Sequence, residues 1–111
     1  MTISAWRTEI DAIDDQLLEL LNKRARIAVK VAQSKELEGM ALRDAARERE
    51  VVERALNKNP GPLDEQAVKN LFGCIIIESR RIQSGAIDRK VGHSPLSQSP
   101  YVQAAPEHSD R

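Results

Sequence analysis

At 111 residues the chain is sized for one domain, and with 41% hydrophobic but only 3% aromatic residues its core must be built from Leu, Ile, Val and Ala, which suits packed helices. Lys plus Arg equals Asp plus Glu at 17 each, so no overall field favours nucleic acid or an anionic membrane, and any anion recognition has to be local. The lone Cys74 excludes an internal disulfide and fits a reducing compartment, and no apolar run approaches the ~20 residues that span a bilayer.

The first element is the most regular. Ile3, Trp6, Ile10, Ile13, Leu17, Leu20, Arg24, Ile27, Val31 and Ser34 alternate spacings of three and four, the signature of a helix seam that faces other helices. Thr2 or Ser4 can cap its start, and Gly39 offers a left-handed stop after about Glu38. This acidic, amphipathic N-terminal stretch does not read as a signal peptide, so the expected location is cytoplasmic. A helix of that length is roughly 50 Å long, whereas a compact domain of about 100 residues has a radius of gyration near 13 Å, so its seam calls for a second copy of the chain. Arg24 interrupts the seam with a charge. Its neighbours three and four residues away are Leu20, Leu21, Ile27 and Ala28, none able to pair it, so it needs an anion from elsewhere. Lys35 follows on the same face, about 20° around and roughly 16 Å along, leaving a gap suited to a small polyanion. Arg7 lies roughly 25 Å before Arg24, too far for one straight helix to bring both to one small ligand.

After the connection over residues 39–43, Asp44 to Leu56 reads as a second helix, with Val51, Val52, Ala55 and Leu56 apolar and Asp44, Arg47 and Glu48 projecting from one face near its start. The stretch over 57–62, with two prolines and a glycine, ends it, and Asp64 caps a third helix. That helix turns Val68, Leu71, Phe72, Ile75, Ile76 and Ile82 inward, with Ser79 and Gln83 on or beside the same stripe; the Ile75–Ile77 run stays helical because it sits inside a helical period. From about Lys90 the composition turns rich in Ser and Pro without period, so residues 1–89 are expected to form the helical domain and 90–111 a disordered tail.

Eight polar residues therefore face inward or share a face: Arg7, Arg24, Lys35, Asp44, Arg47, Glu48, Ser79 and Gln83. One reading of them is a non-catalytic helical dimerisation module in which Arg24 pairs with Glu48, Arg47 caps a partner helix, and Ser79 and Gln83 set the register. No motif for metal, nucleotide or covalent catalysis competes. His93 and His108 both lie in the tail, there is no Gly-rich loop, and Cys74 reads as a small buried hydrophobe.

The other reading comes from a resemblance. The segments R7-x-x-I-D-x-I-D14, L20-L-x-x-R24, Lys35 at the end of the first helix, R43-D44-x-x-R47-E48 and E78-S79-x-x-x-Q83 together resemble the type II (AroQ-class) chorismate mutases, over residues 5 to about 86. The resemblance implies an all-α fold of three helices per protomer, intertwined in a homodimer with the long first helices antiparallel. It implies an isomerase of phenylalanine and tyrosine biosynthesis that rearranges chorismate to prephenate, with no cofactor and no metal. By the same resemblance, Arg24 and the partner's Arg7 bind the two carboxylates and Ser79 adds a hydrogen bond to them. Lys35 and Gln83 donate to the ether oxygen, Glu48 and the backbone at Asp44 hold the ring hydroxyl, and Arg47 supports it. A lyase on the same fold, removing pyruvate from isochorismate, is the neighbouring alternative; the Asp44–Glu48 corner and Ser79 favour the mutase.

Overall fold

In the computed structural model residues 2–88 are described; the tail expected over 90–111, with His93 and His108, lies outside them. Three helices occupy nearly all of the described residues: α1 (Ile3–Leu37), α2 (Ala45–Lys58) and α3 (Glu65–Asp88), with no strand among them.

Each boundary follows from a local hydrogen-bonding device. Thr2 rather than Ser4 caps α1, its hydroxyl accepting from the Ala5 N–H at 3.1 Å. At the other end Gly39 takes φ +69°, so that the Met40 N–H reaches the Lys35 carbonyl at 2.8 Å and the Gly39 N–H reaches that of Glu36 at 3.2 Å. Those two bonds satisfy carbonyls the helix would leave orphaned, and a side chain at position 39 would strain the turn that makes them. Asp44 caps α2 through its Oδ1 and the Arg47 N–H at 3.0 Å. The helix closes at Asn59, held extended by the proline that follows it. Asp64 repeats the device for α3, accepting from the Ala67 N–H at 2.8 Å. The isoleucine triple lies wholly within α3.

α3 packs against both other helices, while no Cα of α1 comes within 8 Å of one in α2. Ser79 meets Arg24 and Gln83 meets Ala28, a constant offset that sets α3 parallel to the C-terminal half of α1. Glu48, early in α2, meets Arg80, late in α3, so that pair runs antiparallel. The core follows these contacts. Ala32 and Ala86 are buried one turn beyond the Ala28–Gln83 contact, Val68 and Ile76 are buried on α3, and Val51, Val52, Ala55 and Leu56 are half-buried on α2.

Two expectations for α3 need correcting. Leu71 is 52% exposed rather than inward, and Cys74 is exposed rather than buried. α1 and α2 cover two faces of α3, and these residues stand on the remaining one. The N-terminal half of α1 stands clear altogether: Ile3, Trp6, Ile10, Ile13, Leu17 and Leu20 are each at least half exposed. The protomer is accordingly elongated, 55 Å on its longest axis and with a radius of gyration of 16.9 Å. No helix among the described residues is long and apolar enough to cross a membrane.

Candidate active site

Where α1 and α3 meet, Arg24 is half-buried, and its Nη1 donates to the Ser79 Oγ at 2.5 Å. Among the described residues no carboxylate pairs with it. A guanidinium carries five N–H donors, so the bond to Ser79 fixes its direction and leaves an edge free for a planar anion; Ser79, acting as acceptor, keeps its own proton to donate. One turn further on, the Gln83 Nε2 donates to the Ala28 carbonyl at 3.0 Å, orienting the amide with its second N–H unspent. Two turns beyond, Lys35 is half-buried and its Nζ donates to the Leu42 carbonyl at 3.1 Å, which ties the end of α1 to the connection before α2 and leaves two ammonium donors. An open groove of about 280 Å³ lies beside Lys35, bordered by Ile27, Val31 and Met40. A larger concavity of about 720 Å³ runs along α1 between Asp15 and Arg26 and includes none of the expected site residues.

The α2–α3 seam holds a second polar cluster. Arg80 grips both oxygens of Glu48, Nε to Oε2 at 2.9 Å and Nη2 to Oε1 at 2.8 Å, while Arg43 reaches Oε1 at 3.4 Å. The hydrogen bond from Arg80 is the main cause holding the Glu48 carboxyl below its ordinary range; desolvation opposes it, and the charges of Arg80 and Arg43 add to it. Within the protomer the Arg24–Glu48 pair of the dimerisation-module reading does not form. Glu48 is taken by arginines of α3 and the preceding connection, and Arg24 by Ser79. The expected single face of Asp44, Arg47 and Glu48 also divides. Consecutive helical residues differ by about 100°, so while Glu48 turns to α3, the Arg47 side chain is 64% exposed and pairs with Glu50 at 3.2 Å; Asp44 spends an oxygen on the cap. Arg7 is exposed on the clear half of α1, away from the rest.

Arg80 was not singled out from sequence, yet the signal is the one that marked Arg24. Its neighbours three and four residues away on α3 are Ile76, Ile77, Gln83 and Ser84, so no carboxylate on its own helix can pair it.

Because the folded state lowers the Glu48 pKa, the unfolded chain binds the extra proton, and this part of the stability is present above the ordinary value of 4.5 and is lost as pH falls through the folded value. Glu48→Gln should be less stable than the parent at neutral pH, with the gap in urea midpoints narrowing in acid. A gap of constant size from neutral to strongly acidic buffer would rule out this linkage.

The family model for chorismate mutase type II matches residues 6–84. The bifunctional chorismate mutase/prephenate dehydratase of Pseudomonas aeruginosa is 36% identical over 86 residues, which cover 68% of this chain and 24% of that protein. Its counterpart of the same description in Escherichia coli K12 is 35% identical over 86 residues, 77% of this chain and 22% of that protein. The chain thus spans about a quarter of the length of these curated relatives. Among solved structures, form II of the chorismate mutase from Thermus thermophilus superposes with a TM-score of 0.72 at 28% identity, covering 74% of this chain and 93% of that one. Form I gives 0.68 at 30%, covering 69% and 96%. With the match to the family model running from the first turns of α1 to the last turns of α3, the chain belongs to the chorismate mutase type II family.

Proposed function

We propose that this chain rearranges chorismate to prephenate within an intertwined homodimer, a step of phenylalanine and tyrosine biosynthesis, with Arg7 of each protomer completing its partner's site. The observation that carries the reading is Arg24, a half-buried cation oriented by Ser79 and paired with no carboxylate among the described residues, in line with Gln83 and Lys35 along one helix seam. The mutase half of the bifunctional relatives' description is favoured over the dehydratase because the Thermus chorismate mutases are covered over 96% and 93% of their own length.

The reaction moves no proton or group off the molecule, so orientation and electrostatics can supply the catalysis. Cationic groups on two carboxylates hold the folded conformer in which the reacting carbons meet, so part of the entropic barrier is met on binding. As the carbon–oxygen bond lengthens, negative charge grows on the ether oxygen, where the Lys35 ammonium and the free Gln83 N–H stabilise it more than they stabilise the ground state. Glu48, with the backbone at Asp44, takes the ring hydroxyl; Arg47 would have to leave its exposed pair with Glu50 to support that group.

A second protomer is favoured on two grounds. The exposed apolar row from Ile3 to Leu20 is longer than a solvated helix face tolerates, and one chain cannot bring its own Arg7 to Arg24. The test is to incubate the purified chain with chorismate and with isochorismate. Conversion of chorismate to prephenate is expected; release of pyruvate and salicylate from isochorismate would mark the lyase, and inertness toward both would leave the dimerisation module.

Gln83→Glu makes the ether-oxygen assignment testable by pH. A carboxyl there has a single O–H to offer the Ala28 carbonyl or the substrate, and only when protonated; ionised, it faces one acceptor and a developing negative charge. Proximity to that carbonyl raises its pKa from the ordinary carboxyl range, while nearby cations lower it. Activity of the variant should be greatest in acid and fade toward neutrality, while the parent shows no such loss. Parallel profiles for the two, with both folded by circular dichroism, would remove Gln83 from the ether oxygen.

A further inference from the structure

We infer that Arg80 is a positioning residue for substrate recognition: reaching from α3, it fixes across the α2–α3 seam the Glu48 carboxylate that accepts the ring hydroxyl. The inference rests on the proposed role of Glu48 and adds a residue that neither the sequence motifs nor that reading includes.

The geometry is a two-pronged grip, with Nε on Oε2 at 2.9 Å and Nη2 on Oε1 at 2.8 Å. A glutamate on the first turn of α2 would otherwise sample several rotamers, and two bonds from one rigid fork select a single orientation. An ionised carboxylate presents about four lone-pair positions. Arg80 takes two and Arg43 reaches a third at 3.4 Å, so acceptor capacity remains for one hydroxyl. The pair also selects the chemical form. Facing Arg80 from α3 and Arg43 from the connection before α2, Glu48 stays ionised and therefore acts only as an acceptor, a group that rewards a hydroxyl and repels an anion placed there. A lysine at position 80 would keep the charge but not the fork.

Steady-state kinetics with chorismate across mildly acidic to mildly basic pH test this in the parent, Arg80→Ala, Arg80→Lys, Glu48→Gln and the Arg80→Ala/Glu48→Gln double variant. Arg80→Ala should raise KM by about tenfold with a smaller change in kcat, because a hydroxyl contact is kept alike in the ground and transition states. The acid limb of its kcat/KM profile should move toward neutrality as Glu48 loses its cation. Arg80→Lys should keep the acid limb near the parent's while retaining part of the KM defect. On the Glu48→Gln background the further loss of Arg80 should change KM by less than about twofold, since its effect passes through Glu48. An Arg80→Ala protein with parental KM and acid limb would overturn the role, and so would losses that multiply in the double variant. If Arg80→Ala does not fold, the same cycle is run with Arg80→Lys. A parent protein that leaves chorismate unchanged defeats the proposed reaction and this role with it, whereas an active parent indifferent to Arg80 defeats this role alone.

Discussion

Lys35→Ala should stay folded in the proposed dimer and lose turnover by a factor on the order of 10² to 10⁴, the range for removing one donor aimed at a developing charge, the role proposed for it. The ammonium sits in the last turn of α1 and is anchored by a single bond, Nζ to the Leu42 carbonyl at 3.1 Å. That bond restricts the ammonium to one direction before substrate arrives, so little reorganisation is left for the chemical step. Its loss on truncation should cost stability by about 1 kcal/mol, since Leu42 is only half-buried and water can take over its carbonyl. The defect should therefore appear in kcat far more than in the thermal midpoint. Near-parental kcat in a folded Lys35→Ala protein would show that charge on the ether oxygen is met elsewhere.

What the sequence made legible was whatever is decided within a few residues. Thr2, Gly39, Asp44 and Asp64 act on donors or acceptors two to four positions away, so the helix boundaries could be read before any tertiary contact was known. Arg24 was legible for a similar reason, because every residue able to pair it from its own helix is apolar. Its actual partner, Ser79, lies 55 positions away and depends on the parallel register of α3. Arg80 was less legible than Arg24. It satisfies the test that marked Arg24 but sits between the apolar stripe and the outer face, and only the antiparallel approach of α2 turns it toward Glu48. Leu71 and Cys74 mark another limit. Hydropathy gives a helix an apolar side but does not say how many neighbours will share it, and here two helices leave a third face of α3 open.

Mixing two inactive proteins should restore activity. Arg7→Ala and Arg24→Ala are each expected to be nearly inactive, because each would remove a proposed clamp on one substrate carboxylate from both sites of the proposed homodimer. Arg7 is separated from Arg24 by roughly 25 Å of straight helix, so in the proposed dimer each pocket takes Arg24 from one protomer and Arg7 from the other. When the two variants are unfolded reversibly and refolded together, the heterodimer carries both lesions in one pocket and neither in the other. Each heterodimer should thus recover about half the activity of a parent dimer, and random pairing of equal amounts should return about a quarter overall. On its own, without mixing, Arg7→Lys should keep only part of the parental activity, since a point charge attracts a carboxylate without the two-pronged fit of a guanidinium. The measurement is prephenate formation before and after co-refolding, with heterodimers counted by native mass spectrometry. Heterodimers present without recovered activity would place Arg7 outside the partner's pocket and require another cation for the second carboxylate.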